Sequence, residues 1–239
     1  MTVDPRTAEL AASLAKVEDR VLAACEAAGR PRADVTLIVV TKTFPAADVL
    51  RLAGLGVREM AENRDQEAAP KAAEVADAGA DVRWHFVGQL QRNKARSVAR
   101  YADVVHSVDR SGLVTALDRA ASEAGRRLDV LLQVDLGGTA ARPGAPRGGA
   151  SPADVDDLAD AVAGSAALRL RGLMAVAPRD EDPGRAFDRL GALAADLRRS
   201  HPDATWLSAG MSGDLEEAVA AGATHLRVGS AVLGSRPPL

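Results

Sequence analysis

The chain has 239 residues, which suits one large domain or two small ones. Hydrophobic residues make up 47% and charged residues 26%, ordinary for a globular protein, but aromatics reach only 3%, so the core must be built from Val, Leu, Ile and Ala. A net charge of -3 argues against nucleic-acid or membrane-surface binding, and the local cluster Arg92-Asn93-Lys94-Ala95-Arg96 reads as a solvated helix face.

Residues 1–10 lack the apolar core of a secretory signal, and no stretch is long enough to span a bilayer, so the cytoplasm is the expected compartment. The first element reads as an amphipathic helix over 4–29. Asp4 caps it, Pro5 occupies its first turn, and Gly29 and Pro31 end it. Helical spacing puts Leu10, Leu14, Val17, Val21 and Cys25 on one face. Cys25 is the only cysteine. On that apolar face it reads as a buried, inert thiol, and alone it supports neither an intrachain disulfide nor a cysteine zinc site.

From residue 35 onward, short β-branched runs alternate with Ala-rich helical stretches. Strands are predicted over 35–41, 57–61, 82–87, 104–108, 130–134, 168–174, 205–208 and 225–228. Helices are predicted to start near Pro45, Arg64, Gln91, Arg110, Pro152, Pro183 and Ser212. Eight βα units with short connections match an α/β fold: a single (β/α)8 TIM-like barrel with an extra N-terminal helix, one domain over 1–239. A doubly wound open sheet is the competing topology, although no GxGxxG follows the first strand. One segment, 137–151, breaks the rhythm. It is rich in Gly, Ala, Pro and Arg, too poor in large apolar side chains to offset its ordering cost, and reads as a flexible insertion after the fifth strand.

Lys42 ends the apolar run of the first strand. A lysine at the mouth of a core strand either snorkels to water or serves chemistry, because apolar walls depress an ammonium pKa and free the amine to condense with an aldehyde. In a barrel, functional groups collect at the carboxyl ends of the strands. That expectation brings Lys42 together with Asn63, His85, Ser107, Met174, Ser208 and Arg227. The last two loops, Ser208-Ala209-Gly210-Met211-Ser212-Gly213 and Arg227-Val228-Gly229-Ser230, are small enough for backbone N–H groups to approach an anion, and the loops after strands seven and eight are the usual phosphate site. The plainer reading is that Ser212 caps a helix whose first turn holds Asp214 and Glu216, and that the glycines make turns. His85 reads as a hydrogen-bonded core histidine. His106, His201 and His225 are scattered along the sequence, and no metal site is expected. A strand-end lysine, a phosphate cradle and one arginine together suit a phosphorylated aldehyde: pyridoxal 5′-phosphate, or the sugar phosphate of a lysine-dependent aldolase.

Six stretches occur in a telling order: Val39-Val40-Thr41-Lys42-Thr43; Ala61-Glu62-Asn63-Arg64-Asp65-Gln66-Glu67; Trp84-His85-Phe86-Val87-Gly88-Gln89-Leu90-Gln91-Arg92-Asn93-Lys94; Arg171-Gly172-Leu173-Met174; Leu207-Ser208-Ala209-Gly210-Met211-Ser212-Gly213-Asp214; and Arg227-Val228-Gly229-Ser230-Ala231-Val232-Leu233-Gly234. Over about 35–234 the chain resembles the pyridoxal phosphate homeostasis protein family (YggS/PROSC type). The resemblance implies a barrel like the N-terminal domain of alanine racemase, pyridoxal 5′-phosphate as cofactor, a role in vitamin B6 homeostasis and no established catalysis. It makes Lys42 the Schiff-base lysine and Arg227 the partner of the pyridine nitrogen. Ser208, Ser212, Gly229 and Ser230 match the phosphate-holding segments, and Asn63 the cofactor rim.

An arginine partner keeps the pyridine nitrogen unprotonated and the ring a weak electron sink, and the single tyrosine, Tyr101, falls before strand four; both favour a carrier over a racemase. The chain departs from the family at Ala61, where glycine is usual, and in the fifth loop, where Arg142 and Arg147 stand in place of a lysine. The expected partners are the cofactor and pyridoxal-phosphate-dependent apoenzymes, with the chain itself a monomer. The alternatives are a pyridoxal-phosphate enzyme such as a weak amino-acid racemase, and a cofactor-free aldolase.

Overall fold

The computed structural model of the protein describes residues 4–137 and 148–235. Eight parallel strands close into a barrel in sequence order: β1 (Thr36–Val40), β2 (Glu59–Glu62), β3 (Arg83–Phe86), β4 (Val104–Val108), β5 (Leu128–Gln133), β6 (Leu168–Met174), β7 (Trp206–Ser208) and β8 (His225–Val228). Closure comes from β1 pairing with β8, Thr36 opposite His225 through Val39 opposite Val228, so the open-sheet alternative falls. Outside the strands run α1 (Pro5–Ala27), α2 (Ala46–Gly54), α3 (Asp65–Asp77), α4 (Ala95–Tyr101), α5 (Ser111–Glu123), α6 (Val155–Ala163), α7 (Pro183–Ser200), α8 (Leu215–Ala220) and α9 (Ser230–Leu233). Among the described residues no helix is long and apolar enough to cross a membrane.

The alternation of side chains along each strand explains where the core sits. Leu37, Val39, Met60, Trp84, Phe86, Val105, Val130, Leu132, Leu173, Leu207, Leu226 and Val228 point outward into one continuous apolar layer under the helices. The inward positions are different. Ile38, Val40 and Ala61 form one small apolar cluster with Val87 against it; Val104, Leu131 and Met174 form another, with Trp206. Buried polar groups occupy the space between, where barrels ordinarily stack branched apolar residues. Ala61 is fully buried in the first of these clusters, so its methyl group is absorbed by packing.

The N-terminal helix follows the sequence reading. The Asp4 carboxylate accepts from the backbone N–H of Thr7, and Leu10, Val17, Val21 and Cys25 are buried, with Leu14 partly so. This helix packs on α2, α8 and α9. Arg6 donates to Asp48 on α2 and to the Leu233 carbonyl, and Arg20 donates to Glu216 and to the Ser212 carbonyl. It therefore buttresses the last two βα loops from behind.

Most of the irregular 137–151 segment, residues 138–147, lies outside the described residues. Its far end does return to the barrel. Ala150 is buried and bridges Val134 in parallel, with Ala150 N–H donating to the Gln133 carbonyl at 2.7 Å and Asp135 N–H to the Ala150 carbonyl at 2.9 Å.

Candidate functional site

At the carboxyl ends of the strands lies a cleft of about 1050 Å³. Of the expected site residues, Lys42, Asn63, Ser212, Arg227, Gly229 and Ser230 line it together. Ser208 does not. It is fully buried beneath the cleft, where its hydroxyl accepts from Arg227 Nη1 at 2.6 Å. Met174 is a wall of the cleft, whereas Ser107 is buried and does not line it. A second groove of about 820 Å³ runs along α4 and α5. Its arginines are largely committed, Arg96 and Arg119 to Glu123 and Arg110 to Asp109 and the Leu90 carbonyl, so it is no free cation array.

Lys42 is presented by a locked strand end. Just before it, the Thr41 hydroxyl donates to Glu62 Oε1 at 2.7 Å, and Lys71 Nζ donates to the same oxygen at 2.5 Å and to the Thr41 carbonyl at 3.0 Å. Thr41, Glu62 and Lys71 are all buried, between the barrel wall and α3. Burial pushes the Glu62 carboxyl up by more than Lys71 and Thr41 pull it down. The clamp ties β1 to β2, and so fixes Lys42 relative to Asn63. Just after Lys42, Thr43 has φ 69, a left-handed conformation that a β-branched residue adopts only under constraint. Its N–H donates to Glu67 Oε2 at 3.2 Å, which anchors the turn to α3.

Asn63 is held by close packing. A Cβ at Gly88 would stand 1.9 Å from the Asn63 carbonyl oxygen, so only glycine allows the end of β3 to pass this near. On the opposite side, Gly210 has φ +87, and a Cβ there would meet Ala218 at 2.6 Å. Its carbonyl accepts from the Arg227 N–H at 2.9 Å, so the β7 loop also sets the backbone of the arginine.

Ser212 does not cap the helix that follows it. The helix α8 begins at Leu215, and Asp214 folds the turn by accepting from Met211 N–H at 2.6 Å. The Ser212 hydroxyl instead accepts from Ala231 N–H and from Ser230 Oγ, both at 3.3 Å, bridging the two small-residue loops. The turn expected after β8 is the short helix α9.

The guanidinium of Arg227 forms the floor. It is 5% exposed, with Nη1 on Ser208 and Nη2 donating to the Ala175 carbonyl at 2.9 Å. Burial lowers its pKa to about 10, only partly offset by Asp214, so it stays cationic at neutral pH.

Three of the four histidines converge in space, while His201 stays at the end of α7 beside Asp160. His85 on β3, His106 on β4 and His225 on β8 all turn into the barrel, because each occupies an inward position of its strand. His106 Nδ1 lies 3.0 Å from Ser208 Oγ, His106 Nε2 lies 2.7 Å from His85 Nδ1, and His85 Nε2 lies 2.5 Å from Glu59 Oε2. Burial depresses both histidine pKa values; Glu59 partly offsets this at His85, while the neighbouring charges deepen it at His106. At Glu59 burial acts upward, but the bond to His85, with Arg83 and His225, outweighs it and leaves the carboxyl below its usual range. Sequence reasoning missed this array and the Glu62–Lys71 clamp. Lys71 did carry a signal: it follows Ala68 by three residues and precedes Val75 by four, on the apolar stripe of its helix.

The chain was compared with known proteins. Residues 13–237 match the family model described as alanine racemase, N-terminal domain. The pyridoxal phosphate homeostasis protein of Mycobacterium tuberculosis is 47% identical over 245 residues, covering 97% of this chain and 94% of that protein. The Escherichia coli protein of the same name is 36% identical over 232 residues, covering 95% and 97%. The structure of PipY from Synechococcus elongatus with PLP bound superposes with a TM-score of 0.80 at 36% identity, covering 94% of this chain and 100% of PipY. With its barrel closed in this order and its length matched end to end by these relatives, the chain belongs to the pyridoxal phosphate homeostasis protein family.

Proposed function

We propose that this chain binds pyridoxal 5′-phosphate in the cleft, holds it covalently on Lys42, and serves intracellular vitamin B6 homeostasis as a carrier and not as a catalyst. The observation that carries the reading is that Lys42 and Arg227 share one cleft with Ser212, Gly229 and Ser230. The residues fit the group. Lys42 is the only lysine among the described lining residues, and its Nζ is the nucleophile for an aldehyde. Arg227, an obligate donor, suits an unprotonated pyridine nitrogen. Ser212 and Ser230, joined across the two loops, offer hydroxyls to a phosphate beside the small Gly229. Asn63 stands at the rim, and Ser208 acts from below by holding Arg227. When bound, the cofactor supplies an electrophilic carbon with which the lysine amine condenses, releasing water.

The quiet chemistry follows from the same groups. An arginine that keeps its proton donates to the ring nitrogen without protonating it, which weakens the ring as an electron sink. Tyr101 ends α4, and its hydroxyl is not part of the cleft. The whole chain, 1–239, then acts as one pyridoxal-phosphate-binding domain, monomeric and cytoplasmic, with apoenzymes that need the cofactor as its acceptors. Added pyridoxal 5′-phosphate should give a visible absorption band that is lost in Lys42→Ala; a wild-type protein that stays colourless at saturating cofactor would refute the reading.

A second reading, a weak amino-acid racemase using the same site, is favoured by the match to the racemase N-terminal domain. Solvent deuterium entering the α-carbon of amino acids at enzymic turnover would establish it and displace the carrier.

A further inference from the structure

We propose that Glu59, His85, His106 and Ser208 form a one-way hydrogen-bond chain that holds Arg227 in place, making a carboxylate at the floor of the barrel a positioning residue for the site at its mouth. The proposal rests on the cofactor reading above, since Arg227 is taken to face the pyridine nitrogen.

The two ends decide the direction. Arginine can only donate and an ionised carboxylate can only accept. Arg227 Nη1 donates to Ser208 Oγ at 2.6 Å, so the serine proton is free to point at His106 Nδ1, 3.0 Å away. His106 therefore carries its proton on Nε2 and gives it to His85 Nδ1 at 2.7 Å. His85 likewise carries its proton on Nε2 and gives it to Glu59 at 2.5 Å. One proton per ring satisfies every nitrogen. A second proton on His85 would set N–H against N–H in the 2.7 Å link, a second proton on His106 would fall on Nδ1 and deprive the serine proton of its acceptor, and the reverse polarity would need a protonated Glu59. The other charged and titratable groups at this array are consistent with that arrangement. Arg83 Nη1 stands 3.8 Å from Glu59 Oε1, which favours the ionised carboxylate, and His225 and Arg227 oppose a charge on His106.

The array is not filler. His85, His106 and Ser208 are at most 1% exposed, and buried polar groups of this kind destabilise a fold unless all are satisfied. They lie between the two apolar clusters of the interior, on four different strands with Arg227, and their polar ends run from the start of β2 to the cleft. Glu59 begins β2 and Asn63 follows its end, four residues or about 13 Å apart at the usual strand rise, so Glu59 itself does not reach the cleft. Its influence there must pass through the chain. With Nη1 on Ser208 and Nη2 on the Ala175 carbonyl, the guanidinium is held in place while Arg227 lines the cleft.

The test has two arms. In the first, long-range 1H–15N spectra of the histidine rings, taken without cofactor at neutral pH, should show His85 and His106 both neutral and protonated on Nε2, in wild-type protein and in Lys42→Ala alike. An imidazolium, or a proton on Nδ1 of either ring, would overturn the chain. In the second, Glu59→Gln replaces the acceptor-only end by a group that can also donate. His85 should then show both tautomers, and the dissociation constant for pyridoxal 5′-phosphate should rise by roughly tenfold, as expected for one lost buried hydrogen bond. Ser208→Ala, a smaller change next to Arg227, should weaken binding similarly and covers the case in which Glu59→Gln does not fold. If the variants lose only unfolding stability, with tautomers and affinity unchanged, the positioning role is wrong. Failure of the wild-type protein to bind at all would instead overturn the cofactor reading, and the positioning role with it, while the first arm still reports on the chain itself.

Discussion

The buried histidines make the stability of this barrel fall in mild acid, and His225 gives the size of the effect. It is 5% exposed, packed at a tilt against Trp206 with 4.3 Å between ring centroids, with Nδ1 2.8 Å from the Thr224 hydroxyl. Burial, helped by the Arg83 and Arg171 charges, lowers its pKa from 6.5 to about 3. The sign follows directly. Below pH 6.5 the unfolded chain takes up a proton at this residue and the folded protein does not, so stability declines as pH falls, levelling only near the folded value. Each proton bound only by the unfolded state costs about 1.4 kcal/mol per pH unit, so between pH 6.5 and about 5 His225 alone removes about 2 kcal/mol. His85 and His106 act in the same direction. The lowered carboxylates, Asp4, Glu59, Glu181 and Glu216, titrate below this window, and Glu62, raised by burial, acts in the opposite sense. Guanidinium unfolding across this range should show the loss, and His225→Gln should reduce its slope by about 1.4 kcal/mol per pH unit. A wild-type unfolding free energy that stays flat from pH 6.5 to 5 would refute the reasoning.

Two further outcomes concern the presentation of Lys42. Lys71→Met leaves Glu62 buried without its cation and should cost about 3–5 kcal/mol in chemical denaturation. Adding Glu62→Gln should recover more than half of that; a single-variant loss under about 1 kcal/mol would show that the clamp matters little. Thr43→Gly relieves the left-handed backbone at φ 69 and should raise stability by about 1 kcal/mol, while loosening the Lys42 turn enough to weaken cofactor binding. A destabilised Thr43→Gly protein would mean that the conformation is not strained.

The architecture was largely legible because βα alternation is a local signal. The strand predicted over 35–41 is Thr36–Val40, and those over 104–108, 168–174 and 225–228 keep their ends. The helix predicted near Gln91 starts at Ala95 after a 3-10 turn, because three residues of tighter winding precede it. The lysine, the arginine and the two small-residue loops were legible through the fold: strand ends of a barrel converge, whatever their separation in sequence. Ser208 was placed one layer too high. Its neighbour in sequence points outward, so its own side chain points into the barrel, where Arg227 covers it. The histidine array was not legible. His85 and His106 are 21 residues apart and His106 and Ser208 are 102 apart, and only closure of the sheet brings them together. The reading of His85 as a hydrogen-bonded core residue was right, but spacing alone names no partner.

The central claim is that one amine in the cleft holds the cofactor. The direct measurement is borohydride reduction of the protein after incubation with pyridoxal 5′-phosphate, followed by peptide mapping in a mass spectrometer. The account predicts a stable cofactor adduct on the peptide containing Lys42, absent from Lys42→Ala. Modification confined to other lysines, or no adduct at all, would contradict it.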